Sequence, residues 1–209
     1  MTLIRNLVLV GLGVLASGWP ANASAELVLS FDQASYTISG IGSTVQVPVY
    51  LSQTPGGPQV GVGNELLTAG LTVSFDNPLS IASVLAVLDI TPSPAFDSAS
   101  AGVTTTRATL AETSLAGISN LSSPLLLGTF MFTGESLGTT SISAATLTPG
   151  PSFVTAGANF LDPANIPTAV INVVPEPSSI VLALLAAGTF GIAILLRRWN
   201  ANMRASSAH

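Results

Sequence analysis

Val45, Val47, Val49 and Leu51 alternate along the chain with Thr44, Gln46, Pro48 and Tyr50. An apolar side chain at every second position marks a half-buried β-strand, because successive side chains of a strand point to opposite faces. Pro48 has no amide to give to a ladder, which predicts an edge position or a bulge at that point. The alternation returns at Leu71, Val73 and Phe75, and in the stretches 81–90, 103–110, 125–132, 139–147 and 168–174. Within the second of these, 81–88 fits a helical period as well as a strand period. Turn-forming clusters divide the runs: Pro55-Gly56-Gly57-Pro58, Asp76-Asn77-Pro78, Thr91-Pro92-Ser93-Pro94, Thr133-Gly134 and Pro149-Gly150-Pro151. Short strands separated by such breakers predict an all-β domain, a single β-sandwich.

Two stretches break this pattern, one at each end. Residues 180–196 carry no charge and are followed at once by Arg197 and Arg198. Seventeen helical residues at about 1.5 Å each reach roughly 25 Å, enough to cross the hydrocarbon layer of a bilayer. The pattern predicts one C-terminal transmembrane helix over 180–196, with the arginine pair as its membrane stop on the cytoplasmic side and 199–209 as a cytoplasmic tail. At the other end, Arg5 precedes a shorter apolar stretch, 7–15, and the small residues Ala23 and Ala25 occupy the positions a signal peptidase reads. This predicts a signal peptide over 1–25, a mature chain starting at Glu26, and an ectodomain over 26–174 outside the cytoplasm.

Between the ectodomain and the apolar helix stand Pro175, Glu176 and Pro177. Two prolines hold the backbone extended and remove two amide donors, so the segment can join neither the helix behind it nor an interior strand. Glu176 adds a charge that resists entry into lipid. The tripeptide is therefore an accessible, extended peptide at the membrane surface.

Charge narrows the function further. In 26–174 nine acidic side chains stand against Arg107 alone, a formal charge of −8. Phosphate binding requires a basic surface, so nucleic acid is excluded as a partner. The chain has no cysteine, hence neither a disulfide nor a thiol nucleophile, and the ectodomain must rely on a buried core. The single histidine is His209, which removes a Ser-His-Asp triad and a histidine-ligated metal from the exported part. Asp76-Asn77 and Asp162 offer oxygen atoms, but the Asp-x-Asp-x-Asp loop of a calcium site is missing; no metal, cofactor or catalytic residue is predicted. Paired carboxylates are the remaining catalytic chemistry, and Asp89, Asp97 and Glu112 are read as solvated surface acids instead. Trp19 and Trp199 fall outside the ectodomain, and its phenylalanines, Phe75, Phe130 and Phe132 among them, are read as core, which leaves few aromatic platforms for a sugar.

Pro175-Glu176-Pro177, Ser178-Ser179, the apolar helix and the arginine pair together resemble the PEP-CTERM sorting signal of Gram-negative bacteria, also called the ice-binding protein C-terminal domain. The resemblance implies recognition of Pro175, Glu176 and Pro177 by exosortase, a membrane-embedded cysteine protease, and delivery to the cell surface or the exopolysaccharide matrix. It covers 174–198, with eleven residues following Arg198. A regular flat array of threonines, which ice binding needs, is not formed by Thr104-Thr105-Thr106 or Thr139-Thr140. In the ectodomain, the segments 27–32, 42–50, 70–76 and 127–132 resemble the strand order of cohesin-like domains and related carbohydrate-binding sandwiches, which implies a nine-stranded jelly roll that binds a protein or polysaccharide partner. Three functions follow as expectations: a non-catalytic surface or matrix protein, an adhesion module for exopolysaccharide or a surface protein, and a hydrolase working with carboxylates alone.

Overall fold

The alternating runs become strands in the computed structural model, which describes residues 25–56, 59–76, 80–121, 123–147, 152–176, 181–185 and 187–189. A first sheet has the order β1 (Leu27–Phe31), β3 (Thr44–Gln53), β9 (Leu125–Gly134), with β5 (Ala82–Ser83) and β6 (Ile90–Pro92) sharing the far edge of β9. The second sheet is centred on β4 (Leu66–Phe75). On one side of β4 lie β8 (Arg107–Ile118) and then β7 (Ser98–Val103). On its other side β10 (Gly138–Thr146) and β11 (Phe153–Thr155) follow end to end. Outside β10 come β13 (Thr168–Val174) and β2 (Ser35–Ser39), and outside β11 comes β12 (Phe160–Leu161). β13 and β2 run parallel; every other pairing among the described residues is antiparallel.

The two sheets stack through the residues that the alternation marked. Val47, Val49, Leu51, Phe130 and Phe132 point inward from the first, and Leu71, Val73, Phe75, Leu110, Ile142 and Ile171 from the second, all buried. Side chains interleaved between two sheets form the core of a sandwich. Phe75 and Phe132 meet across the interface, edge to face, with ring centroids 5.5 Å apart. Such a pair adds about 0.5–1.5 kcal/mol to the burial of the rings themselves.

Several local expectations change. β3 is not an edge strand, since β1 and β9 flank it; but β1 ends at Phe31↔Val49, so Pro48 lies just past it, beside the register shift at Val49/Tyr50. The missing amide is accommodated by a local gap in an interior strand. The 81–90 stretch is neither one strand nor an α-helix. It pairs with β9 at Ala82–Ser83, leaves the sheet through a short 3-10 turn at Val87–Asp89, and pairs again from Ile90. The Asp89 carboxylate accepts the Ala86 N–H at 2.9 Å, a local bond that competes with the ladder and closes the turn. The 103–110 stretch is a hairpin bend: Val103 ends β7, Arg107 opens β8, and Thr104 N–H donates to the Arg107 carbonyl. Thr133-Gly134 continues β9 instead of turning. Of the described phenylalanines, Phe160 is the exception to the core reading, at 68% exposed on the short outer strand β12.

The predicted membrane span lies mostly outside the described residues. Within it, 181–185 and 187–189 are helical and Val181, Leu182, Leu184 and Leu185 are exposed. Among the described residues no helix is long and apolar enough to cross a membrane.

Candidate functional site

The last strand of the sandwich delivers the Pro-Glu-Pro segment without a spacer. β13 ends at Val174, paired with Ser39 of β2, and the Val174 carbonyl accepts the Gly40 N–H at 2.8 Å. Pro175 follows at once; lacking an amide donor, it ends the ladder, and it is exposed. Glu176, also exposed, folds its side chain back over Gly40 in the turn between β2 and β3. A Cβ on Gly40 would come within 2.6 Å of the Glu176 Cγ and 2.7 Å of its Oε1, and Gly40 has φ +100. The left-handed backbone therefore favours glycine there, and a Cβ would have to displace the exposed Glu176 side chain. Pro177, Arg197, Arg198 and Ala23 lie outside the described residues. Ala25 is 1% exposed, two residues before β1, and the Glu26 N–H donates to Thr54 Oγ1 at 2.9 Å. Among the described residues the sandwich thus runs from buried Ala25 to the end of β13 at Val174.

The acids separate into different environments. Asp97 is exposed and its Oδ2 accepts the Leu115 N–H at 2.7 Å; Asp89 closes the turn described above. Glu112 corrects the surface reading. It is 2% exposed, in phase with Ala108, Leu110 and Ser114 on the inward face of β8, and its Oε1 accepts the N–H of buried Ser93 at 2.7 Å. Burial, partly opposed by that hydrogen bond, pushes its carboxyl up to about 7. The alternation that turns Ala108 and Leu110 inward also contained this position, so the signal was present in the sequence; the general exposure of acids obscured it. Tyr36 is buried as well, with its hydroxyl donating to Asp32 Oδ1, and burial followed by that carboxylate raises its pKa.

An open cleft of about 750 Å³ lies between the 80–87 segment and the β7–β8 bend. Ser83, Thr104, Thr105 and Glu135 are among its lining residues, and Ser83 Oγ donates to Glu135 Oε1. A second cleft, of about 420 Å³, opens beside Asp76 and Arg107. Each holds a single carboxylate, Glu135 or Asp76, and neither brings two acids together as glycoside hydrolysis requires. Among the described residues no three His, Cys, Asp or Glu side chains converge.

Residues 173–198 match the PEP-CTERM protein-sorting motif. The chain carries that motif, beginning on the final two residues of β13. In structure the chain is similar to the cohesin module of a family 33 glycoside hydrolase from Clostridium perfringens, with a TM-score of 0.51 at 12% identity over 73% of this chain and 100% of that one. CaCohA2 from Clostridium acetobutylicum has a TM-score of 0.48 at 19% identity, covering 71% of this chain and 90% of its own. A non-cellulosomal cohesin from Archaeoglobus fulgidus has a TM-score of 0.47 at 12% identity, covering 74% and 95%. The domain ahead of the motif is a cohesin-like β-sandwich. The likeness is one of fold. No curated protein matches the chain in sequence.

Proposed function

We propose that this protein is a non-catalytic cell-surface or exopolysaccharide-matrix component, exported and then sorted by exosortase through its C-terminal signal. In this reading 1–25 is a signal peptide cleaved after Ala25, and 26–174 is the exported sandwich. Pro175, Glu176 and Pro177 are the residues exosortase reads, 180–196 spans the membrane as an intermediate, Arg197 and Arg198 stop transfer, and 199–209 faces the cytoplasm.

The observation that carries the reading is the sorting motif matched over 173–198, directly behind a sandwich whose last strand ends at Val174. A complete domain followed at once by a proline-flanked acid leaves an extended segment between the fold and the bilayer, which suits a membrane-embedded protease. Non-catalytic cargo is supported by the separation of the carboxylates: Glu112 is enclosed, Asp97 and Asp89 cap backbone amides, and each cleft holds one acid.

Replacing Pro175, Glu176 and Pro177 together by alanine tests it in a host that carries exosortase. The expected outcome is an uncleaved chain retained in the membrane fraction, whereas the unaltered chain is shortened and reaches the surface. Equal surface delivery and equal processing of both chains would leave the tail as an anchor only and overturn the reading.

A further inference from the structure

Arg107 is the one cation in 26–174, and the fold places it in a row of hydroxyl groups. In the ladders, Arg107 of β8 pairs with Ser74 of β4, Ser74 with Ser143 of β10, and Ser143 with Thr168 of β13. Their chain neighbours Val73, Phe75, Ile142, Ala144, Ala108 and Ala169 are all buried. Alternation therefore turns the row Arg107–Ser74–Ser143–Thr168 outward, across four adjacent strands. At about 4.8 Å between strands the row is roughly 14 Å long. These four residues, with Ser141 and Asp76, line the 420 Å³ cleft.

Arg107 uses its backbone carbonyl to hold Thr104, and among the described residues its guanidinium enters no ion pair. A guanidinium presents a planar fork of donors that matches a carboxylate in bidentate fashion. Hydroxyl groups both donate and accept. Asp76 supplies an acceptor-only carboxylate at the same cleft. That acid repels any carboxylate equally but accepts the O–H of a polyol, so a ligand with hydroxyls gains contacts that acetate or phosphate cannot make. A ligand satisfying all of these groups carries one carboxylate for the fork and several hydroxyls for the row and for Asp76.

We propose that this cleft binds a sugar acid, a hexuronate unit, with its carboxylate on Arg107 and its ring hydroxyls on Ser74, Ser143, Thr168 and Asp76. The site is independent of how the chain is sorted. The cleft's aromatic lining residue, Phe75, is buried and offers no stacking face, so binding rests on hydrogen bonds and is weak, with Kd on the order of 1 mM.

The test is a titration of the full chain in detergent micelles, followed through its backbone amide NMR signals, with glucuronate, glucose, acetate and inorganic phosphate as separate probes. Glucuronate is expected to shift the amides of Ser74, Arg107, Ser143 and Thr168 saturably. Glucose is expected to bind about tenfold or more weakly, for want of the charge-assisted pair, and acetate and phosphate to shift these signals less than glucuronate, for want of the hydroxyl contacts. Arg107→Gln should reduce glucuronate to the level of glucose while the remaining amide signals stay unchanged, which shows that the fold is intact; Arg107→Lys should recover part of the affinity. Glucuronate binding no better than glucose, unchanged binding by Arg107→Gln, or equal shifts with acetate or phosphate would each overturn the assignment.

Discussion

Glu112→Gln removes an ionisable group from between the two sheets while keeping the shape of the side chain and the oxygen that accepts the Ser93 N–H. The carboxyl, ordinarily at 4.5, stands at about 7 in the folded protein. Between those values the folded chain holds a proton that the unfolded chain has released, so stability falls as pH rises through that window and is unaffected below it. At about 1.4 kcal/mol per pH unit, the loss between pH 5 and pH 8 is roughly 2–3 kcal/mol. The glutamine variant has no such term. Its new amide N–H₂ group must find partners, at a cost of about 1–3 kcal/mol if it does not, but that cost is the same at both pH values. The diagnostic quantity is therefore the difference in slope. Urea unfolding followed by far-UV circular dichroism at pH 5 and pH 8 reads it, because 2–3 kcal/mol moves the midpoint by about 1 M or more. Other acids titrate equally in both proteins and cancel. If the pH dependences of the two proteins run parallel, Glu112 is ionised at its ordinary pH, and the argument from its burial fails.

Two further perturbations probe the core and the sorting junction. Phe132→Ala empties the first-sheet half of the Phe75–Phe132 contact and should cost about 3–5 kcal/mol in urea unfolding; a loss below 1 kcal/mol would show that the sheets do not close over that ring. Gly40→Ala should lose about 1–3 kcal/mol through its φ of +100 and the collision with Glu176. Adding Glu176→Ala should relieve the collision but not the backbone strain, a non-additivity of about 0.5 kcal/mol or more in a double-mutant cycle, and strictly additive losses would place the Glu176 side chain away from the turn.

Alternation alone located β3, β4, β9, β10 and β13, because an apolar side chain at every second position allows only one face of a strand to enter a core. It located neither the ends of β9 nor the breaks in 81–90 and 103–110. There the outcome depended on pairing: Thr133 and Gly134 stay in β9 because β5 lies beside them, and 81–90 leaves the sheet where Asp89 closes a turn. The tail motif was legible in full, since Pro-Glu-Pro, an apolar run and an arginine pair act through their order along the chain. Its seat on the sandwich was not, because Gly40 and Glu176 are 136 positions apart and meet only through the parallel pairing of β2 with β13.

Sequence by itself determined the chemistry that is missing and the class of the domain: without cysteine, with His209 as the single histidine and with one base beside nine acids, residues 26–174 are acidic and without thiol or imidazole groups, and their period-2 alternation made them β-rich. Tertiary structure decided which polar groups became special. Glu112 was enclosed because it shares a face with Ala108 and Leu110, and Arg107 joined Ser74, Ser143 and Thr168 because three ladders placed four distant segments in one row. The physical reason is the same in both cases. A strand's own sequence determines which side chains share a face, but only the register with its neighbours determines what that face meets.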